Sequence, residues 1–228
     1  GLASGTEYTY RLYDKTAKKY TQAYNFKTED EHITKFSFIG VTDSQSGLVA
    51  ENGDDWNGQY ACFKNTVDKA VSDNPDAAFM LQAGDIVNAG SKISMWNNYF
   101  KALAGVGETL PHMPAAGNHE YMNYDFKGVG NEEAGKAMAY FFNTPDNGRN
   151  AVGDLQTGEN WDAGNKRAFK YLDDTVYSFD YANAHFAVLN TGADSIHGGE
   201  ELIGAQAEWL KNDMENTQAK WKIVMLHQ

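Results

Sequence analysis

The stretch Ala78-Phe-Met-Leu-Gln-Ala-Gly-Asp-Ile-Val87 decides how this chain is read. An apolar run of strand length, Ala78 to Leu81, passes through Gln82 and Ala83 into Gly84 and Asp85, so a carboxylate stands where a buried strand meets a glycine turn. In an open α/β sheet, ligands collect outside the carboxyl ends of the strands, where loops from several strands converge their side chains. Three other apolar runs end in the same way. Phe36 to Val41 leads into Thr42-Asp43-Ser44-Gln45, Pro114 to Gly117 leads into Asn118-His119-Glu120, and Trp221 to Leu226, read as the last buried strand, leads into His227.

Helical patterns separate these runs. Asn57 to Asp73 sets Tyr60, Phe63, Val67, Ala70 and Val71 at helical spacing ahead of Pro75, and Ser94 to Leu103 does the same with Met95, Trp96, Tyr99, Phe100 and Leu103. The alternation of strand and helix predicts an α/β fold whose sheet is mostly parallel at its start. After Glu120 comes a long aperiodic stretch rich in Gly, Asn and Asp, broken by Ala137 to Phe142, which reads as a short helix or a strand. A loop of that length inside a domain is expected to line the substrate side. Thr175 to Tyr181 and Ala184 to Thr191 read as a hairpin around Asn183, and Ile203 to Met214 as the last helix. Residues 1–31 show only two alternating strands, with Tyr8, Tyr10 and Leu12 on one and Tyr24 and Phe26 on the other. A lone ribbon is marginal in water, so it is expected to belong to a larger β domain beginning upstream.

With 228 residues, 42% apolar and 13% aromatic, the chain is expected to be globular and to bury a substantial core. No run is long enough to cross a bilayer as a helix. A formal charge of -12 argues against nucleic-acid backbone as a partner, and an acidic protein that handles phosphate needs cations to reverse the local field. The single cysteine, Cys62, excludes an intramolecular disulfide and a cysteine metal cluster.

Asp43, Asp85, Asn118 and His227 together offer hard oxygen ligands and one imidazole, a mixture suited to Mn, Fe or Zn rather than to the all-oxygen cage of Ca. A bridging Asp85 would set two cations about 3.5 to 4 Å apart, a spacing used for attack on phosphorus. Each motif alone occurs by chance. Their order, each behind an apolar strand, is far more specific.

That order, Thr42-Asp43-Ser44-Gln45, Gly84-Asp85-Ile-Val-Asn88, Gly117-Asn118-His119-Glu120 and Val224-Met-Leu-His227, resembles the calcineurin-like metallophosphoesterases. Val176-Tyr-Ser-Phe-Asp-Tyr-Ala-Asn-Ala-His185 and Gln206-Ala-Glu-Trp-Leu210 are similar to the purple acid phosphatase branch, and residues 1–11 to the end of its fibronectin type III-like domain. The resemblance implies a layered α/β/β/α metallophosphoesterase sandwich over 32–228, preceded at 1–31 by the last strands of a fibronectin type III-like β-sandwich. It implies Asp43 on a first metal, Asp85 as the bridge, Asn118 and His227 on a second, His119 beside the leaving group, and a metal-bound hydroxide as nucleophile. The implied cofactors are two divalent or trivalent ions, Mn, Fe or Zn. The implied partner is a small phosphoester, a monoester in preference to a diester or nucleotide, and the implied location is secreted or at the cell surface.

Departures from the family pattern matter too. Asn88 stands where the purple enzymes carry the Tyr that gives their colour, so no purple colour is expected, and Gln45 stands where many relatives have a metal-binding His. The family's Gly-His-x-His motif is expected beyond Gln228, which implies a chain cut short at both ends. Gln45, Asn88 and Glu120 are further candidates, as ligands or as residues that orient them; Glu120 equally suits a cap on its turn. Arg149, Lys166 and Arg167 are candidates for substrate contact. His185 reads as structural or ligand-orienting, and His32, His112 and His197 as surface residues. The rival reading is a noncatalytic surface binding protein that keeps the fold.

Overall fold

The computed structural model describes residues 1–45, 60–121, 132–148, 175–192 and 199–228. At the N-terminus the alternating aromatics pair across β1 (Glu7–Tyr10) and β4 (Tyr24–Lys27), which run antiparallel with Tyr8 opposite Phe26 and Tyr10 opposite Tyr24. Ring centroids in these pairs lie 5.6 and 5.5 Å apart, the cross-strand contact that holds such ribbons together. Between them β2 (Tyr13–Asp14) and β3 (Lys19–Tyr20) form a second short hairpin. Leu12, expected to extend the first strand, lies instead between β1 and β2 and is exposed. The ribbon is tied to the rest of the chain: the Tyr10 hydroxyl donates to the Glu108 carbonyl at 2.7 Å, and the Ala182 N–H donates to Glu29 at 3.2 Å.

The expected parallel sheet is present. β5 (Ser37–Val41), β6 (Ala77–Ala83) and β7 (His112–Ala115) pair in the order β5-β6-β7, all parallel. Central β6 buries Phe79 through Gln82 because both of its faces are covered, which is why it reads as a continuous apolar run. One face meets α1 (Ala61–Asp73) and α2 (Ile93–Ala102), whose Phe63, Val67, Met95, Trp96 and Tyr99 join Ile39 and Met80 in one core. α3 (Glu132–Phe141) settles the ambiguous 137–142 segment as helix, and its Phe141 packs on Trp96.

The other face meets a second sheet, ordered β10-β9-β8, built from β8 (Tyr177–Tyr181), β9 (Ala184–Val188) and β10 (Trp221–Met225). β8 and β9 are the predicted antiparallel hairpin, and β10 runs parallel to β9. Phe79, Leu81 and Ala115 of the first sheet pack against Tyr177, Phe186, Val188 and Met225 of the second. Phe186 stands edge-on to Phe79 and lies flat on Phe179, and the Tyr177 hydroxyl reaches the Pro114 carbonyl at 2.8 Å. Side chains alternate along a strand, so His185 points away from Phe186 and out of this core. There it meets Asp213 of α4 (Gly199–Asn216), which covers the outer face.

Among the described residues the expectation of a buried Trp221 to Leu226 strand is met only in part: β10 pairs with β9 alone, and Trp221, Val224 and Leu226 are exposed while Met225 enters the core. An apolar run alone does not distinguish an edge strand from a central one.

Candidate metal centre

The loops after β5, β6, β7 and β10 carry Asp43, Asp85, Asn118-His119 and His227, so the candidate residues gather at the carboxyl ends of four strands. Asp43 and Asp85 take φ values of 50° and 49°, a left-handed conformation that costs energy in any residue with a Cβ and clusters at functional sites. The turns are laced together: the Asp43 N–H donates to the Gly84 carbonyl at 3.3 Å and the Gln45 N–H to the Asp85 carbonyl at 3.1 Å. Gly84 is required twice over. Its φ is +76°, and a Cβ there would stand 2.6 Å from Cγ of His227.

Glu120 is the anchor of this cluster. Fully buried, it accepts N–H bonds from Asp85 (2.9 Å) and Gly117 (2.7 Å) on Oε2, and from Ile86 (2.8 Å) and Val87 (3.1 Å) on Oε1. Its carboxyl is raised to about 7: burial is the largest cause, the bond from Val87 lowers it, the Asp85 charge raises it, and the bonds from Gly117 and Ile86 lower it. With both oxygens occupied, Glu120 holds the 84–88 turn against the 117–121 turn rather than facing the centre.

Asp43, Asp85 and His227 each offer a ligand atom within 4.8 Å of the others. His227 Nδ1 lies 2.8 Å from the Ala83 carbonyl, which only accepts, so Nδ1–H donates there and Nε2 is the nitrogen left to face the centre. That nitrogen stands 3.2 Å from Asp85 Oδ2, close enough for the two groups to share a proton or to hold one cation together. His119 is held in the same way through its Nδ1. Its Nδ1–H donates to the Asn88 carbonyl at 2.7 Å, its Nε2 stands 3.8 Å from the same Asp85 oxygen, and its main-chain N–H donates to Asp85 Oδ1 at 3.1 Å.

Asn118 Oδ1 accepts from Gln228 Nε2 at 2.7 Å. Gln45 Oε1 and Asn88 Nδ2 are buried with no partner among the described residues. A buried carboxamide oxygen without a donor, two residues from Asp43, is an acceptor that a cation satisfies. The oxygen-rich donor set, the His227 Nε2 directed at Asp85 and this orphan oxygen therefore fit bound metal. Asp43 is exposed at the mouth of a cleft of about 700 Å³ lined also by Gln45, Cys62, Phe63 and Thr66, which gives a ligand a path to it.

Several residues lie apart from the centre. His185 sits between Asp180 and Asp213 on the outer face of the second sheet. His112, expected at the surface, instead begins β7 against the Tyr99 hydroxyl, and burial lowers its imidazole to about 3. Arg149, Lys166, Arg167 and His197 fall outside the described residues. Tyr121, Asn190 and Thr175, which wedge the His119 turn, carry no sequence signal beyond their aromatic or small polar character; Gln206 is visible only through its motif.

A sequence profile described as calcineurin-like phosphoesterase matches residues 36–228. Among curated proteins, the chain is similar to Probable inactive purple acid phosphatase 27 of Arabidopsis thaliana, 29% identical over 137 residues that make up 60% of this chain and 20% of that protein. It is also similar to Uncharacterized protein Rv2577 of Mycobacterium tuberculosis, 30% identical over 157 residues, 66% of this chain and 26% of that one. The chain thus matches about a fifth to a quarter of the length of these relatives. Among solved structures, purple acid phosphatase PPD1 from yellow lupin seeds aligns over 100% of this chain and 37% of its own, with a TM-score of 0.64 at 21% identity, a likeness of fold.

Proposed function

This chain belongs to the calcineurin-like phosphoesterase family, and from that premise we propose that the intact protein hydrolyses a small phosphomonoester at a two-metal centre. Membership supports phosphoester hydrolysis and binuclear metal use in general; the assignment of residues is the proposal. The observation that carries it is the convergence of Asp43, Asp85 and His227 ligand atoms within 4.8 Å at the sheet's carboxyl end. When bound, the cations, Mn, Fe or Zn, polarise the phosphoryl oxygens and activate the attacking water.

The chain's own groups do the rest. Asp43 would hold one cation from the open side of the cleft, and buried Asp85 would be shared between the two. Asn118 Oδ1 and His227 Nε2 would hold the other, the His227 ring being fixed by its bond to Ala83. His119 keeps its Nδ1 proton on Asn88, so its Nε2 is the atom that faces the substrate, as proton donor to the leaving group or to the transferring oxygens. Gln45 and Asn88, with hard amide groups where imidazole and phenolate are expected, favour a colourless centre without a ferric charge-transfer band. Two hairpins at the N-terminus support reading 1–31 as the end of a fibronectin type III-like domain in front of the 32–228 phosphoesterase domain, and the family likeness supports a secreted or surface location.

A second reading has its own support: some relatives carry the word inactive in their names, and Gln45 and Asn88 depart from the metal-binding pattern. On that reading the fold serves as a noncatalytic binder. Hydrolysis of p-nitrophenyl phosphate and of bis-(p-nitrophenyl) phosphate with added Mn, Fe or Zn separates the two. It is to be run on this chain, on a version extended past Gln228, and on Asp85→Ala in each. Metal-dependent turnover that Asp85→Ala abolishes supports the enzyme, with the substrate ratio deciding monoester against diester. No turnover by any version with any metal supports the binder.

A further inference from the structure

Just past the end of β9 lies an unusual set of buried polar contacts that the roles above do not use. Asn190 is fully buried, and its backbone is gripped on both sides by one side chain of α4: its N–H donates to Gln206 Oε1 at 2.8 Å, and its carbonyl accepts from Gln206 Nε2 at 2.9 Å. Its own amide then uses both donors, Nδ2 reaching the Tyr121 hydroxyl at 2.7 Å and Thr175 Oγ1 at 2.8 Å. Tyr121 closes the helical turn His119–Tyr121, and its N–H donates to the Asn118 carbonyl at 3.2 Å. None of Tyr121, Thr175, Asn190 and Gln206 is more than 2% exposed.

Burying four polar side chains is costly unless every group is paired, and apolar residues would fill the same space without that demand. What a satisfied network adds is one fixed arrangement. A second observation locates what is fixed. A Cβ on Gly192 would stand 2.2 Å from the Gly117 carbonyl carbon and 2.6 Å from the Asn118 nitrogen, so the chain after Asn190 lies backbone to backbone against the turn that carries Asn118 and His119.

We propose that Asn190 is a positioning residue for His119, acting through Tyr121 and itself held in register by Gln206 of α4. The effect on turnover rests on the phosphoesterase reading; the effect on the His119 ring does not. Because a positioned donor loses rate steeply when displaced, removing the Asn190 donors should act on kcat rather than on substrate binding.

The test uses the metal-loaded protein with Asn190→Asp, which keeps the shape and loses the NH2 donors, and Tyr121→Phe, which keeps the ring and loses the hydroxyl. The ring N–H resonances of His119 and His185 are followed by 15N NMR, His185 reporting on the intact fold from the outer face. Both variants should move or broaden the His119 Nδ1–H signal, leave that of His185 in place, and lower kcat about 10- to 100-fold with KM within about twofold. A His119 signal and a kcat both unchanged in both variants would overturn the positioning role, as would an equal loss of the His185 signal, which marks general unfolding. If neither this chain nor the version extended past Gln228 turns over a phosphoester, the phosphoesterase reading has failed, and the His119 signal alone decides the positioning.

Discussion

Replacing Glu120 by Gln tests the anchor of the centre with a change of one atom. Each carboxylate oxygen accepts two main-chain N–H bonds, at 2.9 and 2.7 Å on Oε2 and at 2.8 and 3.1 Å on Oε1. An amide presents NH2 on one side, so whichever way it turns, two buried N–H donors lose their acceptor and face another donor. A buried donor left unpaired costs about 1 to 3 kcal/mol, so Glu120→Gln should lose about 2 to 6 kcal/mol, a large part of a typical domain's stability. The assay is urea unfolding followed by tryptophan fluorescence at pH 8, above the carboxyl's own titration near 7, so that the wild type carries the carboxylate. The m-value should hold while the midpoint falls. A variant within about 0.5 kcal/mol of wild type would show that the four bonds do not anchor the turns.

Other outcomes follow from the same geometry. Gly84→Ala forces a Cβ to within 2.6 Å of His227 in a left-handed turn, so metal affinity measured by calorimetry should fall at least 10-fold, the size of effect seen when ligand orientation is lost. For His185, burial alone would lower the imidazole, but bonds to Asp213 and then Asp180 outweigh it and raise it above the usual value of 6.5, with Ser178 and Lys222 as its other polar neighbours. A raised histidine stabilises fully below its unfolded value and loses that contribution as pH rises through the folded one. His185→Gln should therefore cost about 1.5 to 3 kcal/mol at pH 5.5 and less at pH 9, read from urea midpoints. Phe186→Ala opens the space between the sheets beside Phe79 and Phe179 and should cost about 3 to 5 kcal/mol in the same assay.

Much of the fold and of the centre is legible in the sequence, and the reasons differ by element. β6 announces itself because both its faces are buried, so every residue from Phe79 to Leu81 has to be apolar. Asp85 and Asp43 are legible because a carboxylate directly after an apolar strand is out of place unless the loop uses it. β10 misleads because, among the described residues, its apolar side chains divide between the core and the surface, and a five-residue run does not reveal how many neighbours a strand has. His112 misleads because its partner, Tyr99, comes from a helix whose packing no local pattern specifies. The Asn190 network is invisible for a similar reason: its members come from a strand end, a helix, a turn and a loop, and only the fold brings them together.

That Asp43, Asp85, Asn118 and His227 frame a binuclear metal centre is tested most directly by titrating the protein with Mn(II) and recording its EPR spectrum. A spin-coupled signal should grow in at two equivalents and be lost in Asp85→Asn, which replaces one carboxylate oxygen by NH2 and removes the charge the two ions would share. A titration showing only the free hexaaquo ion, or a coupled signal that survives Asp85→Asn, would contradict the assignment.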